Sequence, residues 1–161
     1  MILLVMGVTG SGKTTARKLL APKLAWLFLD ADDFHPPQNI KKMKHGVSLP
    51  DQDREPWLAA LHAALLKCAA KNQDAVLACS ARKQSYRETL ASGVVLRICH
   101  LQGTYSEIET CLENRSGHFA GGAILAEQYS DLEEPRDALS LRASDTPEEV
   151  VQDALRKLNL N

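Results

Sequence analysis

Ile2-Leu3-Leu4-Val5-Met6-Gly7-Val8-Thr9-Gly10-Ser11-Gly12-Lys13-Thr14-Thr15 is the stretch that decides the fold. Its apolar start has no polar break, as a strand buried on both faces requires. Gly7 to Thr14 then match the pattern G-x-x-x-x-G-K-[ST] in full, with an apolar strand before and a helical stretch after. Glycines let the backbone curl until its N–H groups point inward, and the following helix start adds the positive end of a dipole. Such a loop cradles phosphate. Lys13 supplies a point charge for the β- and γ-phosphates of a nucleotide, and Thr14 offers its hydroxyl to Mg²⁺. Gly7, Val8, Thr9, Gly10, Ser11, Gly12, Lys13, Thr14 and Thr15 are the expected nucleotide-contacting residues.

Outward from this loop, the chain reads as one domain over 1–161. An apolar fraction of 45% and a charged fraction of 24% are those of an ordinary globular protein. The net charge of −1 supplies no broad basic field, so neither nucleic acid nor a membrane is an expected partner. The apolar start lacks a basic leader and runs straight into the glycine loop, which reads as a strand rather than a signal peptide. Cys68, Cys79, Cys99 and Cys111 are widely spaced, with no C-x-x-C pair. Buried reduced thiols and a cytoplasmic location are the expectation.

Short apolar runs alternate with amphipathic stretches. Ile2–Met6, Trp26–Leu29, Ala75–Cys79, Val94–Leu101 and, more weakly, Ala138–Leu141 are the expected strands. A helix is expected from the Lys13–Thr15 turn to about Ala25. A second carries Trp57, Leu58, Leu61, Leu65 and Cys68 on one face, with Pro56 in its first turn. Thr104 with Glu107, and Thr146 with Glu149, read as capping boxes, the second with Pro147 at the first helical position. This alternation predicts an α/β fold: a five-stranded parallel sheet flanked by helices, with ligands at the carboxyl ends of the strands.

The loop is shared by GTPases, motor ATPases and kinases, so other residues must discriminate. No N-K-x-D base-reading motif is present. Asp30-Ala31-Asp32 closes the strand right after the loop helix. If the strand continues, both carboxylates point the same way. Asp32 is the expected general base toward an acceptor hydroxyl, and Asp30 the expected partner on the metal side. Asp33 is the expected cap of a helix begun by Pro36 and Pro37.

The residues now on the page resemble the gluconokinase family of small ATP-dependent kinases. The likeness runs from Met6–Thr14 through Asp30-Ala31-Asp32-Asp33-Phe34-His35-Pro36, Asn39, Lys42-Met43, Gly46, Leu49, Asp51, Asp53-Arg54 and Pro56-Trp57-Leu58. It continues through Ala78-Cys79-Ser80-Ala81, Lys83, Tyr86-Arg87, Gly117-His118-Phe119, Gln128-Tyr129 and Leu132-Glu133-Glu134-Pro135. It implies transfer of the γ-phosphate of ATP to the 6-hydroxyl of D-gluconate. It also implies a nucleoside-monophosphate-kinase-like fold with a substrate-binding helical region at about 33–70, a mobile lid at about 115–135, and often a homodimer.

Recognition of a sugar acid needs fixed cations and hydrogen-bonding groups. Arg54, Lys83 and Arg87 are the expected cations for a carboxylate, Arg being suited to bidentate contact. His35 and Tyr86 are the expected wall residues. Arg115 opens the lid and is expected either to close over the transferring phosphoryl group or to stack on adenine. Cys111 stands where the family usually has arginine, Arg82 replaces a usual leucine, Leu90-Ala91 stands where a Leu-Arg is frequent, and Ala120-Gly121-Gly122 follows the lid motif. These changes predict weaker ATP affinity or slower closure. Two other readings share the phosphate loop: a kinase for shikimate, a nucleoside monophosphate or another sugar acid, and a nucleotide-binding protein that has lost catalysis.

Overall fold

The computed structural model describes residues 1–116 and 121–160. In chain order it comprises β1 (Ile2–Met6), α1 (Lys13–Leu24), β2 (Leu27–Asp30), a 3-10 turn (Ala31–Phe34), α2 (Pro37–Lys44) and α3 (Asp51–Ala70). Then follow β3 (Ala75–Ala78), α4 (Gln84–Ala91), β4 (Leu96–Gln102), α5 (Tyr105–Ser116), α6 (Gly121–Ser130), β5 (Leu139–Arg142) and α7 (Pro147–Leu158). The strands form one parallel sheet in the order β2-β3-β1-β4-β5. β1 is central: Ile2 lies opposite Ala75 on one side and Leu96 on the other. Its five residues are all buried, which explains the unbroken apolar run.

Two cores cover the sheet. On one face Leu4, Met6 and Leu77 pack with Trp57, Leu61 and Leu65 of α3 and Leu90 of α4. On the other, Leu3, Val5 and Cys99 pack with Leu20 of α1 and with Val150, Val151, Ala154 and Leu158 of α7. A smaller cluster of Val8, Ile108 and Leu125 seats α5 and α6 beside the phosphate loop. Both expected capping boxes form: Thr104 and Glu107 exchange hydrogen bonds of 2.8 and 3.2 Å, and Thr146 and Glu149 bonds of 2.9 and 3.3 Å.

Several boundaries differ from the sequence reading for local reasons. Trp26 does not begin β2. Its N–H donates to the Ala21 carbonyl at 3.0 Å, closing the end of α1 after a left-handed Ala25. α3 begins at Asp51, so Pro56 lies beyond the first turn, and the acidic Asp51 and Asp53 face the positive helix end. β2 stops at Asp30, so Asp30 and Asp32 do not alternate along one strand. The Asp30 carboxylate instead accepts from the Asp32 N–H at 3.1 Å and caps the 3-10 turn, whereas α2 starts from Pro36 with no side-chain cap, so Asp33 does not take the capping role expected of it. The four cysteines are free, and burial pushes the Cys99 thiol up to about 12. No helix among the described residues is long and apolar enough to cross a membrane.

Candidate active site

A cavity of about 280 Å³ opens at the carboxyl ends of β1, β2 and β3. Thr9, Lys13 and Thr14 form one wall, Asp30 and Asp32 its base, and His35, Arg54, Trp57, Arg82 and Tyr86 the opposite wall. Glu127 and Gln128 of α6 border it from a third side.

The phosphate wall is shaped by sterics. Gly10 has φ +79°, and a Cβ there would sit 2.5 Å from Leu112 of α5. Gly12, at φ +94°, precedes the first residue of α1. Only glycine takes both conformations without strain, which leaves the loop amides and the α1 start directed at one point. The Lys13 ammonium donates to the Val8 carbonyl at 2.8 Å, folded back on the loop. Surrounding protein withholds solvent from it and lowers its pKa to about 8, against the pull of Cys79 and Asp32. The Thr9 N–H donates to the Gln128 side-chain carbonyl at 2.6 Å, so α6 touches the phosphate loop directly.

At the base, the carboxylates have different jobs. Asp30 pairs with the buried Arg17 through one oxygen and receives the Asp32 N–H at the other. Arg17 in turn lies 4.0 Å over the Phe28 ring. Asp32 carries no such partner set among the described residues and opens on the cavity. Desolvation by the cavity walls, then repulsion from Asp30, raises its pKa. A raised carboxylate pKa suits a proton acceptor better than an ion-paired one.

On the acceptor wall, His35 stacks on Trp57 with ring centroids 4.6 Å apart and planes 9° apart. Trp57 is fixed by donating to the Ala31 carbonyl at 2.7 Å. Burial, then the nearby Arg54 charge, lowers the His35 pKa to about 4, so the ring is neutral at ordinary pH. Arg54 leans on Tyr86, its guanidinium carbon 5.9 Å from the ring centre, and Tyr86 hydrogen-bonds Asp51.

Two expected cations are not brought to this wall. Lys83 caps α4 and is held by both oxygens of Asp51, at 2.6 and 2.8 Å. Arg87 is buried beneath the turn, donating to the Ala81 and Arg82 carbonyls at 2.8 and 2.9 Å. The helix start at Gln84 turns Lys83 outward, and one helical turn later Arg87 supports the backbone instead. Arg82, Trp57 and Gln128 take wall positions that the sequence reading gave to no site. The Pro56-Trp57-Leu58 and Gln128-Tyr129 blocks and the unusual Arg82 signalled them. The backbone of Arg115 belongs to α5. Its side chain and residues 117–120 lie outside the described residues, as does the lid motif Gly117-His118-Phe119. Gly121 and Gly122 begin α6.

A phosphate loop after the central strand and an open carboxylate on the turn that follows β2, over a parallel sheet, define the class of P-loop kinases for small molecules. The comparisons narrow the class. The gluconokinase of Gluconobacter oxydans is 39% identical, with 96% of this chain and 89% of that protein covered. The thermoresistant gluconokinase of Escherichia coli is 41% identical, covering 83% and 77%. A crystal structure of a gluconokinase from Sinorhizobium meliloti superposes with a TM-score of 0.90 at 35% identity, covering 98% of this chain and 90% of that one. No family model matches the chain. These relatives place it plainly: the chain belongs to the gluconokinase family.

Proposed function

We propose that this protein phosphorylates D-gluconate at its 6-hydroxyl with ATP, giving 6-phosphogluconate and ADP. The observation that carries the reading is one cavity joining Thr9, Lys13 and Thr14 of the phosphate loop, the open Asp32 carboxylate and an arginine-bearing acceptor wall. The family membership supplies the acceptor.

The triphosphate lies along the loop amides from Gly7 to Thr15, with Lys13 released from Val8 to the β- and γ-phosphates. Neutral His35 and Tyr86 hydrogen-bond the polyol, and Arg54 meets the carboxylate. Asp32 takes the proton as the acceptor oxygen bonds to the γ-phosphorus. The bond from that phosphorus to the bridging oxygen breaks, and the electron pair leaves with ADP. Arg115 serves the phosphoryl group or the adenine from the lid at about 115–135, opposite the acceptor region at about 33–70.

Bound Mg²⁺ would neutralise the charge that builds on the triphosphate during transfer. The residues fit such an ion held mainly by nucleotide and water. Thr14 offers a hydroxyl at the cavity wall, Asp30 lies behind it, and no cluster of three or more metal-ligating side chains occurs among the described residues. Arg17 already engages Asp30, so that carboxylate would orient the ion's water shell. A cytoplasmic homodimer without nucleic-acid or membrane partners completes the reading.

The test is coupled ADP release against gluconate, shikimate, nucleoside monophosphates and other sugar acids, run with wild type and Asp32→Asn. Gluconate is expected to give the highest kcat/KM. The variant is expected to lose about 10²–10⁴-fold in kcat while still binding ATP. Unchanged turnover in the variant would remove Asp32 from the base role.

A further inference from the structure

Arg82 is only 5% exposed, yet it lines the cavity between Cys79 and Tyr86. Its backbone is clamped from two sides: the carbonyl accepts from Arg87 at 2.9 Å and from the Glu133 N–H at 2.9 Å. The side chain is poorly matched by contrast. Its Nε is buried and finds no hydrogen-bond partner among the described residues. The nearest carboxylate oxygen, on Asp131, is 3.6 Å away, too far for a hydrogen bond. Burial, then the like charge of Arg54, pushes its pKa down against the pull of Asp131 and Glu127. A buried guanidinium beside another cation, with its carboxylate partner held off at 3.6 Å and its Nε unsatisfied, gains from an anion that a ligand brings.

The reaction brings two anions to this cavity. The phosphates already have the loop amides, the α1 start and Lys13. The acceptor's carboxylate has fewer partners, because Lys83 is tied to Asp51 and Arg87 to backbone carbonyls. That leaves Arg54 alone among the cations the sequence offered. We infer that Arg82 determines acceptor specificity: with Arg54 it forms a two-guanidinium clamp for the carboxylate of the sugar acid. The inference rests on the sugar-acid reading above. The clamp selects acids over neutral polyols of the same length and leaves nucleotide binding to the opposite wall.

The test compares wild type, Arg82→Leu and Arg82→Lys for KM and kcat with gluconate, with glucitol (the same chain ending in an alcohol) and with ATP. Thermal melts accompany each variant to register folding. In Arg82→Leu the gluconate KM is expected to rise roughly 10- to 100-fold, the loss of a charged hydrogen-bonding partner. The preference for gluconate over glucitol is expected to fall by the same factor, with ATP KM moving little. Arg82→Lys keeps the charge without the fork and is expected to fall between. A kcat loss of about tenfold or more with gluconate KM unmoved would overturn the inference and place Arg82 on the transferring phosphoryl group. So would an unchanged gluconate-to-glucitol ratio in a folded Arg82→Leu. Should that variant fail to fold, an Arg82→Lys enzyme with full acid preference overturns it equally. If wild type ignores gluconate but uses another sugar acid, the gluconate reading fails by itself, and the clamp is judged on that acid and its alcohol.

Discussion

Lys13 shows how one residue couples the site to pH. Enclosure holds its pKa near 8 before nucleotide arrives. Phosphate charge favours the ammonium, so binding raises that value. ATP affinity should therefore be full below about pH 8 and fall by up to about tenfold per pH unit above it. Calorimetric titration of ATP from about pH 7 to 9.5 reads this directly, and a flat profile would show that Lys13 stays charged. Asp32 acts with the opposite consequence. In the proposed base role its active form is the anion, and its pKa is raised, so kcat should be lost as pH falls through a value above the ordinary carboxylate range. His35, already neutral with a pKa of about 4, should add no inflection to kcat/KM for gluconate near 6.5.

At the scale of elements, the capping box of α7 is the clearest stability device. Thr146 and Glu149 satisfy each other's backbone donors, and the helix they start buries Val150, Val151, Ala154 and Leu158. Thr146→Ala should cost about 1 kcal/mol, a fall in Tm of roughly 2–4 °C by differential scanning calorimetry, with catalysis intact. Such boxes were legible in the sequence because both partners lie three residues apart. The strands were legible for a similar reason: a buried parallel strand needs an apolar run, and β1 is one. The ends of β2 and the bearings of Lys83 and Arg87 were not. Whether Asp30 extends a strand or caps a 3-10 turn depends on Arg17, thirteen residues earlier in the chain. Whether Lys83 faces the cavity depends on Asp51 across a helix pair. Short motifs carry their own geometry, whereas charges choose among partners that only the folded chain brings near.

For the whole molecule, the cavity draws its walls from β2, α3, α6 and the segment after β3. Ser48 bonds Glu127, and Thr9 bonds Gln128, so α6 reaches both the acceptor side and the phosphate side. A ligand filling this space should hold the fold together. Gluconate at about 100 times its Kd should stabilise by about 2.7 kcal/mol, a Tm rise of roughly 5–10 °C. Fluorimetric melts with gluconate and glucitol in parallel measure it, and equal shifts would argue against recognition of the carboxylate.

The central place of β1 has a consequence during synthesis. Its partners are Ala75–Ala78 on one side and Leu96–Gln102 on the other. At translation speeds of about 5–20 residues per second, Ile2–Met6 waits on the order of 5–19 s before both neighbours have left the ribosome. For roughly the first 4–14 s, until Ala75–Ala78 emerges, the most apolar strand of the sheet has neither edge paired. The segment that later anchors the phosphate loop is thus the nascent chain's most exposed sticking point, and a natural place for a chaperone to hold it.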